Sequence, residues 1–241
     1  MKKLFVNFSI MFAFALIFMA TAAFAIGPYS FFGGAEYYSP GNASLRAVKL
    51  VSDAADPFSG VSFAIPDGTT FADLASLGTD YNVTDDDCGG GSPRFQVGID
   101  MDGDGDRDGN VFVYIGPFPN YTGCAAGWQT TGDLLTSGEN RFDTSQVGGT
   151  FYDSYAGASA LVGSKGVTGV SLVIDSSWMF GDGEQTVLVD NTDVNGNHDY
   201  EPSKDDCKKG GWQTFGNFKN QGDCVSFFAS GGRNQPSGPQ D

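Results

Sequence analysis

Arg94-Phe-Gln-Val-Gly-Ile99, Asp100-Met-Asp-Gly-Asp-Gly-Asp-Arg-Asp-Gly109 and Asn110-Val-Phe-Val-Tyr-Ile115 run consecutively, and Cys88 and Cys124 bracket them. The outer runs alternate apolar and polar residues, as strands with one buried face do, so that Phe95, Val97 and Ile99 share a face. The middle run sets aspartates at alternate positions around Gly103 and Gly105, the residue pattern of a tight turn that can wrap oxygen ligands round a cation. The whole reads as an antiparallel hairpin turning near residue 105. Residues facing one another would then sum to about 210, which sets Cys88 nearly opposite Cys124 at the open end. Cys207 and Cys224 similarly flank a small aromatic loop turning near Gly216-Asn217. Of the three pairings open to four cysteines, 88–124 and 207–224 are therefore expected.

Outward from the hairpin, further strand-like runs rich in Val, Phe, Ile and Thr span Leu45–Val51, Gly60–Ile65, Trp128–Leu134, Arg141–Gln146, Val167–Ile174 and Gln185–Asp190. Two short segments read as helix. One is Thr70–Leu77, stopped by Gly78; the other is Ser154–Val162, entered through a capping box at Thr150-Phe-Tyr-Asp153 and stopped by Gly163. Many short strands with two brief helices predict an all-β fold, a β-sandwich, rather than a βαβ layout. The expected organisation is a sandwich domain over residues 26–190, a polar linker over 191–203, a disulfide-closed C-terminal unit over 204–230 and a loose tail over 231–241. The body is expected to fold without that last unit, in a chain ending near Asn197.

Residues 1–25 have the form of a secretory leader: Lys2 and Lys3, an apolar run from Leu4 to Ala20, and Ala23-Phe-Ala25 before the cleavage point. Its removal leaves 216 residues, enough for one domain of ordinary size. With Lys2 and Lys3 gone, 29 acids face 11 basic residues, a formal charge of −18. Such a chain repels nucleic acid and anionic membrane surfaces. No cysteine follows the cleavage point for lipid attachment and no sorting signal closes the chain, so a secreted or surface-held protein is expected.

Three stretches of the body carry a resemblance: Gly60-Val-Ser-Phe-Ala-Ile-Pro66, Asp80-Tyr-Asn-Val-Thr-Asp-Asp-Asp-Cys-Gly-Gly-Gly-Ser-Pro-Arg-Phe-Gln96 and Gly183-Glu-Gln-Thr-Val-Leu-Val-Asp-Asn191. They resemble a group of uncharacterised secreted bacterial β-sandwich proteins. Lys204–Phe227 resembles a short C-terminal ending found on many otherwise different exported bacterial proteins. Leu188-Val-Asp-Asn191 is similar to the last strand of galactose-binding-like jelly rolls and carbohydrate-binding modules. What these resemblances imply is a fold, an all-β sandwich of jelly-roll type; they bring no assigned activity.

Against the EF-hand loop, Asp100, Asp102 and Asp104 take positions 1, 3 and 5, Gly105 takes the bend, and Asp106 and Asp108 could add ligands. Position 12 is Val111 rather than a bidentate acid, and strands rather than helices flank the loop. The expectation is a structural Ca2+ site on a hairpin. A solvated acidic turn is the plain alternative, and Asp85-Asp86-Asp87 reads as one.

Catalytic signals are thin. His198 is the sole histidine and sits among Asn and Asp, the setting of a solvated surface side chain, so zinc sites and triads lack an imidazole. No Gly-x-Ser-x-Gly or Cys-x-x-Cys occurs. Loop aromatics are more suggestive: Phe118, Tyr121 and Trp128, near Cys124, are the candidates for a sugar-stacking patch. The expected function is a non-catalytic adhesion or carbohydrate-recognition module whose partner is extracellular carbohydrate or a cell-surface protein. A structural surface component and an acidic glycan hydrolase are the rival readings.

Overall fold

The computed structural model describes residues 29–175, 183–198, 200–215, 218–230 and 233–238. The leader, Trp178, Asp182, Asp199 and the turn at Gly216-Asn217 lie outside the described residues. The strands are β1 (Tyr29–Phe32), β2 (Glu36–Tyr38), β3 (Ala47–Ser52), β4 (Ser59–Phe63), β5 (Leu77–Asp85), β6 (Arg94–Asp100), β7 (Gly109–Tyr114), β8 (Gln129–Thr130), β9 (Phe142–Asp143), β10 (Gly166–Ile174), β11 (Gln185–Val194) and β12 (Asn197–His198). Two α-helices, α1 (Tyr155–Val162) and α2 (Gln221–Ala229), and short 3₁₀ turns complete them.

The strands form two antiparallel sheets, ordered β1-β4-β10-β6-β7-β9 and β2-β3-β11-β5-β8, with β12 paired to β11. The chain crosses repeatedly between the sheets, and the late strands β10 and β11 insert between earlier ones. Without the flanking β1, β2 and β9, the orders β4-β10-β6-β7 and β3-β11-β5-β8 are those of a jelly roll of two Greek keys. The core lies between the sheets. Phe95, Val97 and Ile99 of β6, Val111 and Val113 of β7 and Leu172 and Ile174 of β10 meet Val48, Leu50, Val187 and Val189 from the opposite sheet, and all are fully buried. Period-two alternation therefore sends Gln96, Phe112 and Ser171 to the outer face.

Both expected disulfides are present. Cys88–Cys124 has Cα atoms 5.5 Å apart, and Cys207–Cys224 has them 5.7 Å apart. The hairpin pairs Ile99 with Gly109 and Arg94 with Tyr114, so it is centred on Asp104, one residue from the expected position.

Other expectations are corrected. The segment Thr70–Leu77 is not an α-helix: it forms one 3₁₀ turn, Phe71–Asp73, after which Leu77 opens β5. A capping box at that turn is real, with Asp73 Oδ2 accepting from Thr70 N at 2.9 Å and from Thr70 Oγ1 at 2.6 Å. Pairing of β5 with β11 then overrides local helix propensity. The cap of α1 is Ser154, whose Oγ accepts from Gly157 N at 3.1 Å. Thr150–Asp153 instead bridges back to the sheet, Asp153 N donating to Phe142 O at 2.7 Å. The runs Trp128–Leu134 and Arg141–Gln146 contribute only the two-residue strands β8 and β9.

The polar stretch 191–203 is not a linker. β11 continues to Val194 and turns through Asn195 (φ 55°) and Gly196 to pair with β12. His198 is 2% exposed and Tyr200 1%. Asn, Asp and Gly serve here as bulge and hairpin residues inside the fold, because they adopt the left-handed backbone such turns need. The unit beyond closes on Cys207, Phe218 and Cys224, with Trp212, Phe215, Val225, Phe227 and Phe228 packed around them. Arg46 ties it to the body, its Nη1 3.2 Å from Asp206 Oδ1 and its Nε 2.5 Å from Tyr200 O.

Candidate ligand groove and acidic hairpin

Asp100 ends β6 and is 8% exposed. Its carboxylate accepts from Gly103 N at 2.6 Å and Gly105 N at 2.9 Å, and these amides hold its pKa below the usual carboxylate value. Gly103 and Gly105 have φ of 88° and 93°, which only glycine adopts without strain. The remaining acids staple the turn in sequence. Asp102 Oδ1 accepts from Asp104 N at 3.2 Å, Asp104 Oδ1 from Asp106 N at 2.8 Å, and Asp108 Oδ2 from Met101 N at 2.6 Å.

Carboxylate oxygens of Asp100, Asp102 and Asp108 all lie within 4.8 Å of one another. Oxygens that share a Ca2+ ion at about 2.3–2.6 Å can be no more than about 5 Å apart, so the spacing fits one ion. Asp104 and Asp106, expected as ligands, fall outside this group and act through the turn.

The loop aromatics divide. Phe118 is 52% exposed, whereas Tyr121 is only 3% exposed and does not belong to the surface. Its ring packs against Tyr114, Phe118 and Tyr152, with the Arg141 guanidinium 4.8 Å from its centroid. Trp128 is half-buried and makes no ring contact with either among the described residues. The exposed patch is instead Phe118, Phe151 and Tyr152, beside the loop that Cys88–Cys124 and Asp87 hold down. Asp87 accepts there from Cys124 N at 2.8 Å and Gly123 N at 3.0 Å.

The outer face of the β1-β4-β10-β6-β7 sheet carries a groove whose residues the sequence reading did not single out. Register aligns Ser30, Ser62, Ser171, Gln96 and Phe112 in one cross-strand row. Ser62 Oγ and Ser171 Oγ are 3.1 Å apart. At one end the Phe32 ring lies over Gly60, where a Cβ would come within 2.5 Å of it, and Phe58, 54% exposed, stands beside it. At the other, Arg107 leaves the acidic hairpin and lays its stem over Gly98, with Cδ 2.8 Å from where a Cβ would be. Two hollows of about 420 and 390 Å³ share Ser62, Ser171 and Arg107 in their walls.

Only one carboxylate lines the groove among the described residues, Asp175, and Arg94 holds it bidentately at 2.6 and 2.5 Å. No hydrogen bond engages the Gln96 amide among the described residues, and Arg107 donates only to Asn110 Oδ1, at 3.3 Å. The signal that could have found this groove is the alternation of each strand, with serine, glycine and glutamine at outward positions.

His198 is corrected from a solvated surface residue to a core one. Its Nε2 lies 3.2 Å from Val194 O, its ring packs 4.6 Å from Phe63, and Nδ1 has no partner. Burial holds its pKa below the ordinary value. A ring so enclosed cannot meet a substrate or an external metal.

Among the described residues no helix is long and apolar enough to cross a membrane. Two disulfides without a free cysteine suit an oxidising compartment. No family model matches the sequence, and no curated protein matches it. Among solved structures, an exo-beta-agarase is similar at 15% identity and a TM-score of 0.35, over 74% of this chain and 24% of that one. The chain thus spans about a quarter of that enzyme's length, and a likeness of this size shows neither ligand nor activity for it.

Proposed function

We propose that this chain is an exported, non-catalytic recognition module that binds carbohydrate in the groove across β1, β4, β10 and β6. The observation that carries the reading is the groove's make-up: a floor of Ser62, Ser171 and Gly98, the exposed Phe58 ring beside the half-buried Phe32 ring at one end, and the unengaged amide of Gln96. A sugar presents a C–H face that stacks on an aromatic ring and hydroxyls that need both donors and acceptors, and the groove offers both. Its one described carboxylate is tied to Arg94, which leaves no acid pair of the kind glycoside hydrolysis uses in this part of the surface.

The acidic hairpin is proposed to hold Ca2+ through Asp100, Asp102 and Asp108, a structural role that would stiffen the turn bearing Arg107. One observation favours a second reading: the exposed Phe118 and Tyr152 both pack on Tyr121, with the exposed Phe151 beside Tyr152, an apolar cluster suited to a protein partner, as in a structural surface component.

A glycan array probed with the mature protein tests the proposal, with Phe58→Ala as the comparison. Saturable binding that the variant loses supports it. Binding unaffected by Phe58→Ala moves the site elsewhere, and release of reducing sugar would replace the proposal with a hydrolase.

A further inference from the structure

We infer that the groove is selective for acidic glycans, with Arg107 receiving a carboxylate or sulfate group of the sugar. The inference rests on the carbohydrate reading above and adds the ligand's charge. The mature chain carries a formal charge of −18, so an anionic polymer is repelled by the molecule as a whole. It can be held only where a cation is presented locally, and among the described residues Arg107 is the only cationic side chain lining the groove. The other arginine beneath this face, Arg94, is 9% exposed and already satisfied by Asp175.

Arg107 is unusual for its position. It belongs to a hairpin with five aspartates, yet among the described residues it forms no ion pair. Its aliphatic stem lies flat over Gly98 and against Thr168, a path that any side chain at residue 98 would close. Arg107 thereby lines both hollows together with Ser62 and Ser171, and its Nη1 donates to Asn110 Oδ1 at 3.3 Å.

A guanidinium fork donates bidentately to carboxylate or sulfate oxygens. The Gln96 amide and the hydroxyls of Thr168, Ser62 and Ser171 line the same hollows with further hydrogen-bonding groups, while Phe58 and Phe32 stand ready for the ring of a neighbouring residue. A neutral sugar would leave the guanidinium with no partner of opposite charge.

The test is titration calorimetry of the full mature protein with three oligosaccharides: oligogalacturonate, a sulfated galactan and the unsulfated galactan. Each is measured against the parent, Arg107→Gln and Arg107→Lys, with Phe58→Ala as the reference for the groove itself. The expected result is a preference of about tenfold or more for one acidic ligand over the neutral one, erased by Arg107→Gln and partly kept by Arg107→Lys. Which acidic ligand is preferred separates carboxylate from sulfate recognition. The preference should also shrink as salt is raised.

Arg107 is exposed, so Arg107→Gln should melt as the parent does, and a matching midpoint shows that lost binding is not lost folding. Equal binding of neutral and acidic ligands, or a preference that survives Arg107→Gln, overturns the inference while the carbohydrate reading stands. Absence of binding by all three, with the glycan array also blank, overturns both.

Discussion

Tyr200 decides whether residues 191–203 join two units or complete one. In the structure its side chain is 1% exposed, its ring meets Tyr29 edge-on at 5.1 Å, and its hydroxyl donates to Thr192 Oγ1 at 2.9 Å. Truncating a buried aromatic costs roughly 3–5 kcal/mol. For a domain of this size each kcal/mol moves the melting midpoint by about 2–4 °C, so Tyr200→Ala should lower it by about 6–20 °C. Tyr200→Phe keeps the ring and removes the hydroxyl. Thr192 Oγ1 retains Thr79 Oγ1 at 2.9 Å, so the cost is about 0.5–1.5 kcal/mol, or about 1–6 °C. A residue in a solvated linker would change stability by no more than about 0.5 kcal/mol either way. Thermal melts of the three proteins at one pH and fixed calcium read the difference. If Tyr200→Ala melts within about 2 °C of the parent, the core assignment is wrong and the linker reading returns. By the same logic a chain ending at Asn197, which lacks Tyr200, should be at least as unstable as Tyr200→Ala, against the sequence-based expectation.

Three further outcomes are expected. The folded-state pKa of His198 is depressed, so its contribution to stability is complete above the unfolded value of about 6.5 and is lost as pH falls through the folded one. Midpoints should therefore fall more steeply between about pH 6.5 and 5 in the parent than in His198→Gln, and parallel curves would refute the buried, neutral ring. Calcium at a hundredfold excess over its Kd would add about 2.7 kcal/mol, raising the midpoint by about 5–11 °C over EDTA, and Asp108→Asn should abolish that difference. No shift, with no metal by elemental analysis, removes the ion from the account. The Cys88→Ala/Cys124→Ala pair should cost roughly 2–4 kcal/mol in a denaturant melt, and a loss below about 0.5 kcal/mol would show that Asp87 alone holds this loop.

Much of this was legible because it is local. The hairpin and both cystines follow from alternation and spacing within about 40 residues of chain, and the strand pairing and both disulfides are as expected, while Asp104 and Asp106 fall outside the carboxylate group of the turn. β5 was half hidden, since Thr70–Leu77 mimics a helix start, although Leu77, Thr79, Tyr81 and Val83 alternate as a strand does. The span from Asn191 to Tyr200 misled because Asn, Asp and Gly mark loops in sequence but here make a bulge and a hairpin against the core. The groove went unread, because alternation marks the outward residues but not which strands lie side by side. Ser62 and Ser171 are ordinary outward residues until the jelly-roll crossings bring β4 beside β10, more than 100 positions apart. Arg107 looked like one charge in an acidic run until Gly98 gave it a path across the sheet. Tyr121 failed as a surface residue because the cystine-bound loop folds its ring inward between Tyr114 and Tyr152.

Amide hydrogen exchange of the mature protein, with and without the tightest-binding oligosaccharide from the array, tests the central claim most directly. Binding in the groove should slow exchange in peptides covering β1, β4 and β10 and in the hairpin turn at 101–108, and leave the loops around Phe118 and Phe151 unchanged. Protection confined to those aromatic loops, or none anywhere under saturating ligand, would contradict a carbohydrate site on the outer sheet.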